Sequence, residues 1–251
     1  MKAIILAAGQ GTRLAPLTDD RPKCLVELAG RPLLDHQVAV LQAAGIDAIH
    51  VIAGYRAERI VHPAITRHLN PDYAVTNMVA TLFSARHLLA GPDDVIISYG
   101  DIVYERRVLE ALMACPAEIG LAADRQWRRY WQARMDDPLA DAETFRLDPT
   151  GHVRELGRKP RSEDDIQAQY MGLIKVRADR LAAFATAWDD LDRSRTYDGR
   201  DVANMFMTSF LQHLIDTGWP VRAVLVDNGW LEVDAPEDLA LADAGFWRAE
   251  G

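Results

Sequence analysis

The sequence predicts an α/β fold: a mainly parallel sheet flanked by helices, with a small antiparallel extension. Three observations carry that prediction. The apolar run AIILAA, residues 3–8, passes without a break into a glycine-rich turn. A helical pattern and a second β-branched run, AIHVIAG at 48–54, follow at the spacing of a right-handed βαβ unit. A third short apolar run, residues 95–99, ends in Gly100 and Asp101, at the strand end where open α/β sheets bind ligands.

After the first strand, Leu34, Val38 and Leu41 recur at helical spacing and Gly45 supplies a stop, which makes residues 33–44 an amphipathic helix. The 48–54 strand then presents Tyr55 and Arg56 at its C-terminal end. TNMVATLFSARHLL, residues 76–89, sets Val79, Leu82, Phe83 and Leu89 on one helical face, with Thr76 or Asn77 as its cap. A helix over 105–115 follows Asp101. Between residues 118 and 176 the pattern shortens and alternates. With no linker composition to set it apart, it reads as an antiparallel extension of the sheet around a turn at 148–151. Leu181, Phe184, Trp188 and Leu191 mark a helix over 178–191, a face equally able to serve a homodimer contact, and Phe206, Phe210 and Leu214 mark another over 200–217. A strand, VRAVLVD, and a helix over 236–247 close the chain, with Pro236 suited to a first turn. The expected organisation is one domain, 1–251.

A net charge of -9 argues against a general nucleic-acid or anionic-membrane surface, so phosphate binding must come from local cations such as Arg13 and Lys23. The expected partners are small molecules. Cys24 and Cys115 form no disulfide framework, no signal-peptide pattern opens the chain, and no run approaches the roughly 18 apolar residues of a membrane span. The expected compartment is the cytoplasm.

The rest is read against LAAGQGTRLAPLTDDRPK, residues 6–23. Gly9 and Gly11 remove side chains where backbone N–H groups approach an anion, Thr12, Arg13 and Lys23 add donors and charge, and Leu6, Ala7 and Ala8 complete the candidate nucleotide-binding set. A Walker loop would need GK[ST], and a dinucleotide loop a glycine where Leu14 stands, which weighs against an oxidoreductase. The stretch resembles the signature of the nucleotidyltransferases that make activated sugars and small phosphates, LAAGxGTRLxPLTxxxPK, at every fixed position. With NMVATLFSAR, SYGDIVY, YMGLIKV, TSFLQHLID and GWLEVD, the resemblance covers essentially the whole chain. It is closest to cytidylyltransferases acting on phosphocholine, 2-aminoethylphosphonate and related acceptors, and implies their Rossmann-like, GT-A-like fold.

Nucleotidyl transfer asks a protein chiefly to align attacking and leaving oxygens and to take up charge. The resemblance assigns Arg13 to the leaving pyrophosphate, Lys23 to the α-phosphate, and Asp101 and Asp234, with Glu232 beside them, to Mg²⁺, which accepts one or two carboxylates and fills its shell with phosphate and water. Asp101 and Asp234 each also precede a helix and suit an N-cap. Asn77 either reads a pyrimidine edge or caps its helix, and Tyr55 joins the nucleotide set. Lys159, in GRKP, matches a lysine that reaches the acceptor phosphate in the wider family, although Arg158 stands where that family more often has an acid. Trp127, Tyr130 and Trp131, with Asp141 and Glu143, form either a cage for a substituted ammonium or a packing patch. The implied activity is Mg²⁺-dependent transfer of CMP from CTP to a small phosphate or phosphonate acceptor, including amino-acid-derived phosphates. The alternatives are a sugar-1-phosphate uridylyl- or thymidylyltransferase and a catalytically silent nucleotide-binding regulator.

Overall fold

The computed structural model describes residues 1–243. Seven strands form one sheet: β1 (Lys2–Ala7), β2 (Ala48–Ala53), β3 (Ile65–Leu69), β4 (Val95–Tyr99), β5 (Ile119–Asp124), β6 (Gln169–Val176) and β7 (Val221–Val226), in the order β7-β5-β6-β4-β1-β2-β3. All run parallel except β6, which is antiparallel to both neighbours. The helices are α1 (Leu33–Ala43), α2 (Met78–Ser84), α3 (Arg106–Met113), α4 (Trp127–Arg134), α5 (Leu181–Asp189), α6 (Met207–Asp216) and α7 (Pro236–Asp243).

β1 reads as an uninterrupted apolar run because both of its faces are covered. Ala3, Ile5 and Ala7 enter a core with Leu34, Val38 and Leu41 of α1 and Val108 of α3, while Ile4 and Leu6 enter a second core with Leu82, Phe184 and Phe210. In that second core Phe83 stacks on Trp188 at 4.9 Å between centroids, and Phe184 and Phe210 pack edge-on. The apolar stripe of α5, Leu181, Phe184, Trp188, is therefore packed within the chain.

Three small antiparallel pairs are added. Phe145–Leu147 pairs with Val153–Leu156 around the expected 148–151 turn, whose Asp148 carboxylate accepts the N–H groups of Thr150 and His152. Glu27–Leu28 pairs with Arg31–Pro32. Ile102–Tyr104 pairs with Trp230–Glu232, joining the segment after β4 to the segment after β7.

Four elements differ from the sequence reading. β3, ITRHL, lies at the sheet edge with Thr66 and Arg67 exposed, so it carries no apolar run to announce it. α4 falls where a sheet extension was expected: Trp127, Tyr130 and Trp131 stand at i, i+3 and i+4, and their burial on one face makes WRRYWQAR a helix. The 76–89 helix shortens to α2 plus a 3₁₀ turn at Arg86–Leu88, and the 200–217 helix begins only at Met207. Of the 236–247 helix, residues beyond 243 lie outside the described residues. Among the described residues no helix is long and apolar enough to cross a membrane.

β6 shifts register between Tyr170 and Ile174, and Gly172 within the shift has φ +74°. A Cβ there would stand 2.5 Å from the Tyr99 ring. Gly172→Ala should therefore cost about 2–4 kcal/mol, from left-handed backbone strain plus overpacking. A lower urea midpoint at unchanged m value is the expected readout, and an unchanged midpoint would show that Tyr99 yields freely.

Candidate functional site

The loop after β1 is folded back on itself. Leu14 is its buried anchor, the Thr18 hydroxyl donates to the Gly11 carbonyl at 2.9 Å, and the Ala8 carbonyl accepts the Tyr55 N–H at 2.9 Å. Gly11 has φ +75°, and a Cβ there would meet Lys23 Cβ at 2.9 Å, so this glycine also lets the lysine stem pass. Gly9 has open space before it. With Leu6, Ala7, Ala8, Asn77, Tyr99 and Asp101, the loop lines a cavity of ≈ 220 Å³.

At the mouth of this cavity stands a charged junction. Lys23 Nζ donates to Asp101 Oδ2 at 2.8 Å and also to Asp234 Oδ1, which Arg13 approaches at 3.0 Å. Burial works to lower the Lys23 pKa, but Asp101 and Asp234 outweigh it and hold the ammonium above its ordinary value. Burial likewise works to raise that of Asp234, and Lys23, Arg13 and Arg134 outweigh it, leaving the carboxylate below the ordinary range. Among the described residues Asp101 Oδ1 is buried with no hydrogen-bond partner. Two carboxylates sharing one ammonium, one with an unsatisfied oxygen, fit Mg²⁺ with phosphate and water completing its shell.

A second cavity of ≈ 200 Å³ shares Met78 and Tyr99 with the first and has Arg13 and Asp234 in its wall. Trp131, Asp141, Glu143, Gln169, Tyr170 and Glu232 also line it. Trp131 Nε1 donates to Asp141 Oδ2 at 3.2 Å. Burial, reinforced by Asp141 and Asp198, pushes the Glu143 pKa up to about 7.

Several expected site residues stand elsewhere. Trp127 and Tyr130 are buried in the core and line neither cavity: Trp127 Nε1 donates to the Ile166 carbonyl at 3.3 Å, and the Tyr130 hydroxyl donates to the Glu232 carbonyl at 2.9 Å. The Arg134 guanidinium lies 5.0 Å from the Tyr130 ring centroid and 5.5 Å from that of Trp131, so the chain's own cation takes the place expected for an acceptor's. Lys159 is exposed and donates to the Leu139 and Ala140 carbonyls, in a separate cavity with Arg146, Arg158 and Arg161, and lines neither of the two cavities above. Tyr55 turns its hydroxyl to the Asp19 carbonyl at 2.7 Å, and Tyr73, 6.5 Å away between centroids, takes its place on the cavity wall. Thr12 is exposed outside both linings. Glu232 is paired with Arg134, which takes it off the Asp101–Asp234 pair. Asn77 both caps α2, through Met78 N–H at 2.8 Å, and lines the first cavity.

Sequence reasoning missed Arg134, Tyr99, Met78 and Gln169. Tyr99 was signalled by its place just before Gly100-Asp101, and Arg134 by its i+3 and i+4 spacing from Trp131 and Tyr130, once that segment is read as helical.

A mixed sheet with a glycine loop at its switch point, opening on a lysine shared by two carboxylates, defines a nucleotidyltransferase. Residues 3–159 match the MobA-like NTP transferase domain, and the chain belongs to that family. It is 39% identical over 249 residues to the CTP:phosphoglutamine cytidylyltransferase of Campylobacter jejuni subsp. jejuni serotype O:2, covering 95% of this chain and 98% of that protein. It is 30% identical to the CMP-5'-(3-aminopropyl)phosphonate synthase of Streptomyces rubellomurinus, over 98% of this chain and 39% of that one. The fold is shared with the CTP:phosphocholine cytidylyltransferase of Streptococcus pneumoniae, at TM-score 0.68 and 19% identity over 98% of both chains. It is shared also with the inositol-1-phosphate CTP transferase of T. maritima, at TM-score 0.72 and 19% identity over 96% and 94%.

Lys23→Ala should lower turnover at least about ten-fold, the scale of a lost charge-stabilising contact. The lowered Asp234 pKa contributes stability that is present above its ordinary 3.8 and lost as pH falls through the folded value. Lys23→Ala should therefore flatten the decline of the urea midpoint between about pH 5 and pH 2. An unaltered acid limb would show that Lys23 does not govern Asp234.

Proposed function

We propose that this nucleotidyltransferase transfers CMP from CTP to a small phosphate or phosphonate acceptor that carries an amino group, releasing pyrophosphate in one in-line displacement. The observation that carries this reading is the pair of cavities meeting at Arg13, Lys23, Asp101 and Asp234, the second of them walled by Asp141 and Glu143. In it the loop after β1 holds the triphosphate and Asn77 presents its amide to the pyrimidine edge. The acceptor phosphate enters beside Arg13, with its ammonium toward Asp141, Glu143 and Trp131. Asp101 and Asp234 would hold Mg²⁺, which would supply charge neutralisation at the phosphates. Lys23 takes up charge that develops at the α-phosphate, and Arg13 takes up charge on the leaving pyrophosphate.

The relatives named for phosphoglutamine and for an aminopropylphosphonate support an amine-bearing acceptor, and phosphoglutamine is the first candidate. Two free, buried thiols, Cys24 and Cys115, suit a reducing cytoplasm.

A pyrophosphate-release screen tests the reading, with CTP, UTP, ATP and dTTP against phosphoglutamine, phosphocholine, 2-aminoethylphosphonate and glucose 1-phosphate. CTP with an amine-bearing acceptor is expected to be fastest. Faster turnover of UTP or dTTP with glucose 1-phosphate would replace the reading by a sugar nucleotidyltransferase, and CTP binding without release by a silent regulator.

Glu143 adds a pH signature. Its folded pKa of about 7 lies above the ordinary 4.5, so its contribution to stability is present below 4.5 and lost as pH rises toward 7. A cation placed beside it favours the carboxylate, so acceptor binding at about pH 6 should release a proton. Calorimetry in two buffers of different ionisation enthalpy should show this release, and Glu143→Gln should abolish it. Equal enthalpies for the wild type in both buffers would place the ammonium elsewhere.

A further inference from the structure

Arg134, the last residue of α4, has only 4% of its side chain exposed. A buried guanidinium is retained only where its donors are matched, and here three acids match them. One Nη pairs with Glu232, Nε donates to Asp238 Oδ1 at 2.8 Å, and Nη2 lies 3.3 Å from Asp238 Oδ2 and 3.8 Å from Asp234 Oδ2. The faces of Tyr130 and Trp131 pack against the same group.

Asp238 carries the effect to the backbone. Its Oδ2 accepts the N–H groups of Asp234 at 2.7 Å and Ala235 at 2.9 Å, so the carboxylate that Arg134 holds also fixes the main chain that presents Asp234. The two oxygens of Asp234 thereby face different cations, with Oδ1 toward Lys23 and Arg13 and Oδ2 toward Arg134. On its other side Arg134 backs the wall of the second cavity, since Trp131 and Glu232, which it touches, both line it.

We propose that Arg134 is a positioning residue that sets the Asp234 carboxylate at the junction and ties the wall of the second cavity to it. Without the guanidinium, Glu232 and Asp238 stand uncompensated beside Asp234, and the N-terminal turn of α7 loses the partner that orients Asp238. A lysine restores one charge and cannot reproduce the fork that spans Glu232 and Asp238 at once. Acceptor contacts that shift α4 are then felt at Asp234 through one rigid group.

The inference rests on Asp101 and Asp234 as the metal pair, so its test separates the two. Mn²⁺ affinity is measured by electron paramagnetic resonance on the full chain loaded with CTP, without acceptor, for the wild type, Asp234→Asn, Arg134→Lys and the double variant Arg134→Met/Glu232→Gln. Cooperative urea unfolding reports which variants are folded. Arg134→Lys and the double variant should bind Mn²⁺ about 10–100-fold more weakly, the scale for partners that orient a metal ligand, and should lose a comparable factor in kcat with little change in the KM for CTP. The double variant removes the uncompensated Glu232 charge. If it still does not fold, Arg134→Lys decides. A folded Arg134 variant with wild-type Mn²⁺ affinity and kcat overturns the proposal alone. Equal Mn²⁺ affinity in the wild type and Asp234→Asn overturns the metal reading beneath it.

Discussion

The site depends on one backbone hydrogen bond and the ribbon around it. The Val233 N–H donates to the Asp101 carbonyl at 2.9 Å, next to the antiparallel pairing of Ile102–Tyr104 with Trp230–Glu232. Asp101 leaves β4 and Asp234 follows β7, strands three places apart in the sheet order, and without this ribbon the two carboxylates would have no reason to meet. Brought together, they repel, and the arrangement persists because Lys23 enters between them from the loop after β1. Removing one partner of such a partly buried set leaves the remaining charges uncompensated beside one another. The junction is thus held by sheet topology on two sides and by charge on the third.

A protein of net charge -9 can still gather a triphosphate because the relevant field is local. Around the junction the acids are individually matched: Asp101 and Asp234 by Lys23, Asp234 also by Arg13, Glu232 and Asp238 by Arg134. What is left unmatched is informative. Among the described residues Asp101 Oδ1 has no hydrogen-bond partner, and burial together with Asp141 pushes the Glu143 carboxyl toward neutrality. The 69% exposure of the Arg13 side chain leaves it able to reach an incoming phosphate while it touches Asp234.

The first half of the fold was legible because its signals are contiguous: β1, its loop, α1, β2 and β4 each announce themselves within a dozen residues, and Lys23 and Asp101 lie beside them. The loop's own geometry was less legible. Gly11 was read as space for an anion, whereas its left-handed φ and its contact with the Lys23 stem fix the lysine's path. The second half failed for a physical reason. α4 has three aromatics among polar residues, a pattern that periodicity resolves only if positions 127, 130 and 131 are taken as one helical face. With α4 unread, Arg134 had no place, Glu232 looked available to a metal, and the rings looked open to a ligand. Lys159 was carried by a four-residue motif, too short to fix its direction, and its ammonium caps the carbonyls of Leu139 and Ala140 instead.

The two cavities divide the labour between different parts of the chain. The first is built on β1 and β4 and on the start of α2, the regular core of the sheet. The second takes its distinguishing groups from residues 131–170, where helices are short and strands irregular. Substitution at Asp141, Glu143 or Gln169 leaves the glycine loop and Lys23 untouched, so on the proposed reading acceptor selectivity can change while the phosphate chemistry stays fixed. Two connections limit that freedom. Tyr99 walls both cavities, held against the Gly172 backbone and edge-on to Tyr170 at 5.8 Å between centroids. Arg134 joins Trp131 to Asp234. On the proposed reading, a larger acceptor that displaces either ring presses on the wall of the first cavity or on Asp234, and it is at these two contacts that selectivity and rate become physically one property.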